Sequence, residues 1–79
     1  MNNKTQKFEL PEFGWWIEIL TNKPIHRYYF GVFESYRAAE SAKHGYIQDL
    51  ITEGAEIINI EIERCQPQPS TTSVIPVSA

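Results

Sequence analysis

The sequence predicts an α+β domain of order ββαβ, in which one helix covers one face of a three-stranded sheet. Two runs rich in aromatic and β-branched residues, 15–20 and 27–33, precede a helical pattern that begins near Ser35. Strict alternation of isoleucine with polar residues over 58–63 then predicts a half-buried strand. Because the helix reverses the direction of the chain, we expect the third strand beside the first, in the sheet order 2-1-3.

The individual elements have recognisable ends. Gly14 precedes the first strand, and a short connection containing Pro24 favours an antiparallel hairpin with the second. Ser35 can cap the helix, and Gly54 stands where a left-handed residue would end it. The apolar face of the helix recurs at steps of three and four residues, at Tyr36, Ala39, Ala42, Tyr46, Ile47, Leu50 and Ile51.

The 79 residues suffice for one domain. We expect an N-terminal arm over 1–12, the ββαβ domain over 13–66, and a disordered tail over 67–79, which is uncharged and rich in Pro, Ser and Thr. A core this small supplies little net stability, so support from self-association or from a partner is expected.

Composition excludes several classes of function. Seven basic against ten acidic side chains give a net charge of −3, which is unsuited to a nucleic-acid backbone or an anionic membrane. The single cysteine excludes an internal disulfide and a cysteine-based zinc site. That cysteine content is typical of a cytoplasmic protein, and no apolar run approaches the ~20 residues of a spanning helix. His26 and His44 have no second ligand at a spacing of three or four residues, so we predict no metal, and we expect no cofactor.

Alternation along the strands divides the side chains between two faces. The face toward the helix should carry Trp15, Ile17, Ile19, Tyr28, Phe30, Val32, Ile58, Ile60 and Ile62. The open face should carry Trp16, Leu20, Tyr29 and Phe33, ringed by Glu18, Glu61 and Glu63.

An exposed aromatic patch of this kind is typical of a protein interface, in which Trp, Tyr and Arg are common anchors. We therefore predict a partner-binding site made of Trp16, Arg27, Tyr29 and Phe33. The alternative is that the arm, the tail or a symmetric homodimer covers the patch.

Two other activities are less favoured. Aromatic side chains on a small sheet can stack the bases of single-stranded RNA, but the carboxylates on the same face would repel the phosphates. The sequence offers no convincing set of catalytic residues. A lone cysteine such as Cys65 beside Arg64 is usually inert. Glu61 and Glu63 could act as an acid–base pair only in a pocket, which a chain this small rarely forms. We expect a protein that is not an enzyme.

Four segments together resemble the small cyanobacterial proteins of domain-of-unknown-function family 1816. They are residues 14–19 (GWWIEI), 28–35 (YYFGVFES), 45–50 (GYIQDL) and 53–55 (EGA). The resemblance implies a small non-catalytic regulator that binds another protein, and it points to nitrogen metabolism with the PII signalling protein as a partner. Residues 51–60 are also similar, more faintly, to phycobilisome linker and capping domains, which implies phycobiliproteins as the alternative partner.

Overall fold

A computed structural model describes residues 11–23, 25–68 and 73–76. Within them the chain forms one helix and four strands. In chain order these are β1 (Gly14–Asn22), β2 (His26–Phe33), α1 (Tyr36–Thr52), β3 (Glu56–Cys65) and β4 (Ser73–Pro76). The predicted α+β class and the order ββαβ are confirmed.

The strands form one sheet in the order β3-β1-β2-β4. The central strand β1 pairs antiparallel with both β2 and β3, which confirms the predicted order 2-1-3. The strand β4 pairs parallel with β2, from Ser73 opposite Tyr28 to Pro76 opposite Gly31.

The strand β4 lies where the sequence predicts a disordered tail. Val74 and Ile75 are β-branched residues that suit a strand, and a proline is tolerated at a sheet edge because no ladder hydrogen bond is needed there. The outer edge of β2 supplies the pairing that such a short strand requires. The rest of the predicted tail beyond residue 68, and residues 1–10 of the predicted arm, lie outside the described residues.

The helix begins and ends as its sequence predicts. The Oγ of Ser35 accepts a hydrogen bond from the backbone N–H of Ala38 at 3.0 Å, which satisfies one of the free donors of the first turn. After the helix, Gly54 has a φ of +94°, a conformation that a side chain would oppose. The chain can therefore turn directly into β3.

The core lies between α1 and one face of the sheet. Its buried members are Ile17, Ile19, Phe30, Ala39 and Leu50. The ring of Tyr46 stacks on that of Phe30 with centroids 4.3 Å apart, so that the helix contacts β2 as well as β1.

A bulge in β3 changes which isoleucines reach the helix. Leu20 pairs with Asn59 and the adjacent Thr21 pairs with Ile57, which leaves Ile58 as an extra residue. Ile58 is 55% exposed, and Ile57 packs against the core instead. The predicted core position of Ile58 is therefore wrong, because alternation loses its phase at the bulge.

A second bulge lies in β2. Trp15 pairs with Phe33 and Ile17 pairs with Phe30, so β2 contains one more residue than β1 over this stretch. Beyond the bulge Phe33 packs against the core. A Cβ on Gly14, two residues before Trp16, would collide with Cγ2 of Val32. The faces predicted for Val32 and Phe33 are thus wrong, and each residue lies on the other side of the sheet.

The helix α1 has neither the length nor the hydropathy to cross a membrane, and it is the only helix in the part of the chain that the structure describes.

Candidate functional site

The open face of the sheet carries a cluster of acidic side chains. Glu18 on β1 lies directly opposite Glu61 on β3, and Glu63 is the next residue of β3 on the same face. Carboxylate oxygens of the three residues lie within 4.8 Å of one another. Arg27 of β2 contributes the positive charge, with its Nε 2.7 Å from Oε2 of Glu18. We call Glu18, Arg27, Glu61 and Glu63 the polar cluster.

The polar cluster makes neighbouring groups hold their protons more tightly. A side-chain hydrogen bond with Glu18, followed by burial, raises the pKa of Glu63. Burial, with the negative charges of Glu18 and Glu63 behind it, raises the pKa of Tyr29 to about 12. The same causes raise the pKa of the Cys65 thiol. Cys65 is therefore held as a thiol, the less nucleophilic form.

Carboxylates at this spacing are also ligands that hard cations prefer. Here Glu18 already pairs with Arg27. The guanidinium therefore compensates one of the three carboxylates, and Glu61 and Glu63 keep the remaining charge of the polar cluster.

Trp16 lies on the same face but is buried, with 3% of its surface exposed. Its indole Nε1 donates to the carbonyl oxygen of Glu12 at 3.0 Å. Its ring covers Gly31 so closely that a Cβ there would lie 2.6 Å from a ring carbon. The prediction of an exposed Trp16 is wrong, because residues that flank the sheet close over it.

Both flanks of the sheet meet beside Trp16. The Nε2 of Gln66 donates to the carbonyl oxygen of Pro11 at 2.9 Å, which joins the residue after β3 to the segment before β1. Pro67 next to it is buried. The alternative that the chain covers its own open face therefore holds at this position.

The four residues of the predicted binding site do not form one surface. Arg27 and Tyr29 lie at the polar cluster, Trp16 is buried, and Phe33 lies on the face toward the helix. A partner-binding role for Arg27 and Tyr29 stays a prediction.

A different concave surface lies at the end of the sheet, beyond the first turn of α1. Three side chains form a row across the strands, since Phe33 pairs with Trp15 and Trp15 pairs with Arg64. They border a cleft of about 380 Å³. We call it the aromatic cleft, and it is lined by Glu12, Phe13, Gly14, Trp15, Val32, Phe33, Glu34 and Arg64.

Two exposed aromatic side chains flank the aromatic cleft. Phe13 is 57% exposed, and the guanidinium carbon of Arg64 lies 4.9 Å from the centre of its ring. Tyr36 is 53% exposed and meets Trp15 edge-to-face at 5.8 Å. Sequence reasoning missed this site because Phe13 stands at the predicted domain boundary and Tyr36 fits the apolar face of the helix.

Comparison with known proteins gives one match. No curated protein and no solved structure matches the chain. A family model matches residues 8–72, which include β1, β2, α1 and β3. This confirms the resemblance that the four segments indicate: the chain belongs to the family described as Domain of unknown function (DUF1816).

Proposed function

We propose that this protein is a small, non-catalytic regulatory module that binds another protein through the aromatic cleft. The observation that carries the proposal is the exposure of Phe13, which lines the cleft with Trp15 and Phe33, and of Tyr36, whose ring contacts Trp15. Large apolar rings gain free energy when a partner removes them from water. Such rings, together with arginine, are the residue types that dominate protein interfaces.

The dimensions of the aromatic cleft support a protein partner. A volume of about 380 Å³ lies at the low end of the range for ligand sites and suits one or two side chains of a partner. Arg64 adds a guanidinium that already lies on an aromatic ring, where it can reach a carboxylate or a carbonyl of the partner. The cleft thus combines the rings of Phe13, Trp15 and Phe33 with charged side chains at Glu12, Glu34 and Arg64.

The raised pKa of Cys65 weighs against a nucleophilic role for its thiol. Tyr29, Glu63 and Cys65 all have a raised pKa, and burial contributes to each shift. Activation of a nucleophile such as Cys65 needs a lowered pKa, which is the opposite direction.

The proposed partner is the PII signalling protein, which would give the module a role in nitrogen metabolism and a cytoplasmic location. This choice depends on the resemblance to small cyanobacterial regulators. Phycobiliproteins are the alternative partner. The polar cluster weighs against single-stranded RNA, because three carboxylates within 4.8 Å of one another occupy the face that would hold the phosphates.

The proposal is tested by titrating purified PII protein, and in parallel purified phycobiliproteins, with the full chain in a calorimeter. The variants Phe13→Ala and Tyr36→Ala should each weaken binding about tenfold or more while the circular dichroism spectrum is unchanged. Ile51→Ala is the matched control, since Ile51 near the other end of α1 is 51% exposed and should not affect affinity.

Three results would contradict the proposal. Binding that survives both alanine variants but is lost in Tyr29→Ala would move the site to the open face. Failure of both proteins to bind at about 100 μM would reject both partners. Binding of single-stranded RNA at physiological salt would replace protein by nucleic acid as the ligand.

A further inference from the structure

The outer edge of β3 has no strand beside it in the part of the chain that the structure describes. The sheet order is β3-β1-β2-β4, so β4 covers the outer edge of β2 while β3 forms the other margin. The strand β3 spans Glu56–Cys65 and is the longest in the sheet. An edge of this length presents alternating backbone N–H and C=O groups that can pair with an added strand.

The side chains of β3 differ between its two sides. Ile60 and Ile62 point to the side covered by α1 and are half-buried, because they lie at the margin of the core. Glu61 and Glu63 point to the open face, where they belong to the polar cluster. A strand added to this edge would place its alternate residues beside isoleucines on one side and beside carboxylates on the other.

We propose that the edge of β3 binds an extended segment of a partner protein in which basic and apolar residues alternate. The apolar residues would extend the core past Ile60 and Ile62. The basic residues would lie beside Glu61 and Glu63. Of β3, only Arg64 lines the aromatic cleft, and residues 60–63 do not. The proposal does not depend on the function proposed for the cleft.

Charge complementarity favours a basic segment. The polar cluster has three carboxylates and one guanidinium, and that guanidinium contacts Glu18. Among the described residues, no cationic side chain lies within ion-pair distance of Glu61 or Glu63. The whole chain also carries a net charge of −3, which would steer a basic segment toward it.

The same charges disfavour a second copy of this chain in the two registers that align the stretch 61–63 with itself. An antiparallel pair of β3 strands centred on Glu61 places the two Glu61 carboxylates opposite each other. Centring the pair on Ile62 places Glu61 opposite Glu63. Like charges directly opposite each other destabilise a strand pair.

The test uses the full chain and the peptide Lys-Val-Lys-Val-Lys-Val-Lys, acetylated and amidated at its ends. Binding is followed by calorimetry and by NMR shifts of the β3 amides. One control peptide carries N-methyl groups on alternate amides, which keeps the charges but removes the backbone donors. A second has the same composition with its lysines contiguous. We expect both controls to bind about tenfold more weakly, since pairing needs backbone donors and alternation.

Variants locate the contact. Glu61→Gln should weaken peptide binding about fivefold, as expected for the loss of one charge pair. Glu53→Gln makes the same change of charge at the exposed end of α1 and should have no effect. The cleft variant Phe13→Ala should also leave peptide binding unchanged, so that failure of this proposal and failure of the cleft proposal can be told apart.

Several results would overturn the proposal. Equal binding of the N-methylated peptide would mean attraction by charge without strand pairing. Equal losses in Glu61→Gln and Glu53→Gln would mean that the contact lies elsewhere. A dimer in sedimentation that dissociates in Glu61→Lys, with no binding of the peptide, would make a second copy the occupant.

Discussion

On the face of the sheet toward α1, Ile17 and Ile19 are fully buried in a cluster that includes side chains of the helix, whereas on the opposite face Trp16 is buried away from the helix. The indole of Trp16 lies on Gly31 and donates to the carbonyl of Glu12. The first face excludes water over several residues. The second excludes water at Trp16, and the carboxylates of the polar cluster lie beside it.

This difference shows how a sheet with a single helix can do without an exposed apolar patch. The open face has the ring of Trp16, which is buried, the half-buried ring of Tyr29, and beside them the polar cluster, which favours contact with water. Among the described residues, large apolar side chains stay exposed at Phe13 and Tyr36 beside the aromatic cleft, and also at Ile25 in the hairpin, Ile51 in the last turn of α1 and Ile58 at the bulge of the edge strand β3. Contact with a partner is therefore expected at the margins of this sheet rather than at its centre.

The largest effect is expected for Trp16→Ala, which tests whether the open face has a core residue of its own. If Trp16 is a core residue of the open face, its removal should lower the free energy of unfolding by about 3–5 kcal/mol, as much as Ile19→Ala on the other face. Denaturant unfolding followed by circular dichroism measures both. Trp16→Phe keeps most of the ring and should still fold. A Trp16→Ala variant as stable as the wild type would mean that the ring is not buried.

Gly31→Ala tests the contact that buries Trp16. The added methyl group would lie 2.6 Å from the indole, so we expect a loss of about 1–3 kcal/mol from overpacking. Gly45→Ala is the control, because nothing lies within 4 Å of a Cβ at that helical position. This second change should instead stabilise the protein by up to about 1 kcal/mol. Equal effects of the two changes would contradict the close packing at Gly31.

Alkaline pH should lower the free energy of unfolding through Tyr29 on the open face. The fold raises the pKa of Tyr29 from 10.0 to about 12, chiefly by burial, so the folded state keeps this proton when the unfolded state has lost it. The associated stability is complete below pH 10 and is lost as the pH rises toward 12. Thermal unfolding across this interval should show a smaller decline in Tyr29→Phe. An identical decline in both proteins would exclude Tyr29 as its cause.

The smallest effect is expected for Glu63→Gln. The raised pKa of Glu63 means that its charged form is disfavoured in the fold, so its contribution to stability is present in acid and is lost as the pH rises through its folded pKa. At pH 7 the neutral variant should be more stable by about 0.5 kcal/mol, and at acid pH the difference should vanish. Glu53→Gln, outside the polar cluster, should show no such pH dependence. Destabilisation at pH 7 would contradict repulsion within the polar cluster.

Short-range patterns predicted most of the fold. The cap at Ser35, the turn at Gly54 and the alternation around Ile60 each reflect a local preference that the structure keeps. Bulges depend on how two strands fit over their length, so alternation could not reveal that Ile58 and Phe33 change sides. The prediction of faces is correct for β2 before its bulge and for β3 after its bulge, and it is wrong on the other side of each.

The candidate site was harder to predict because it depends on segments that are distant in sequence. From the sequence, Trp16 resembles an exposed anchor of an interface. Its burial depends on the carbonyl of Glu12 and on the missing side chain of Gly31, where the indole ring packs. The aromatic cleft requires the ends of three strands and the first turn of α1 to meet. By contrast, alternation alone predicted that Glu18, Glu61 and Glu63 share one face, and the structure confirms it.

The hydrogen bond between Gln66 and Pro11 has a consequence for modular use of the fold. The chain enters and leaves the β1–β3 core at neighbouring points, so the core could be spliced into a surface loop of a host protein without separating the host's own ends. Glu12, Phe13 and Arg64 lie beside that junction and line the aromatic cleft. If the core were inserted into a host protein at that junction, the aromatic cleft would lie against the host. In a circular permutant with its ends at the hairpin between β1 and β2, the aromatic cleft would stay accessible.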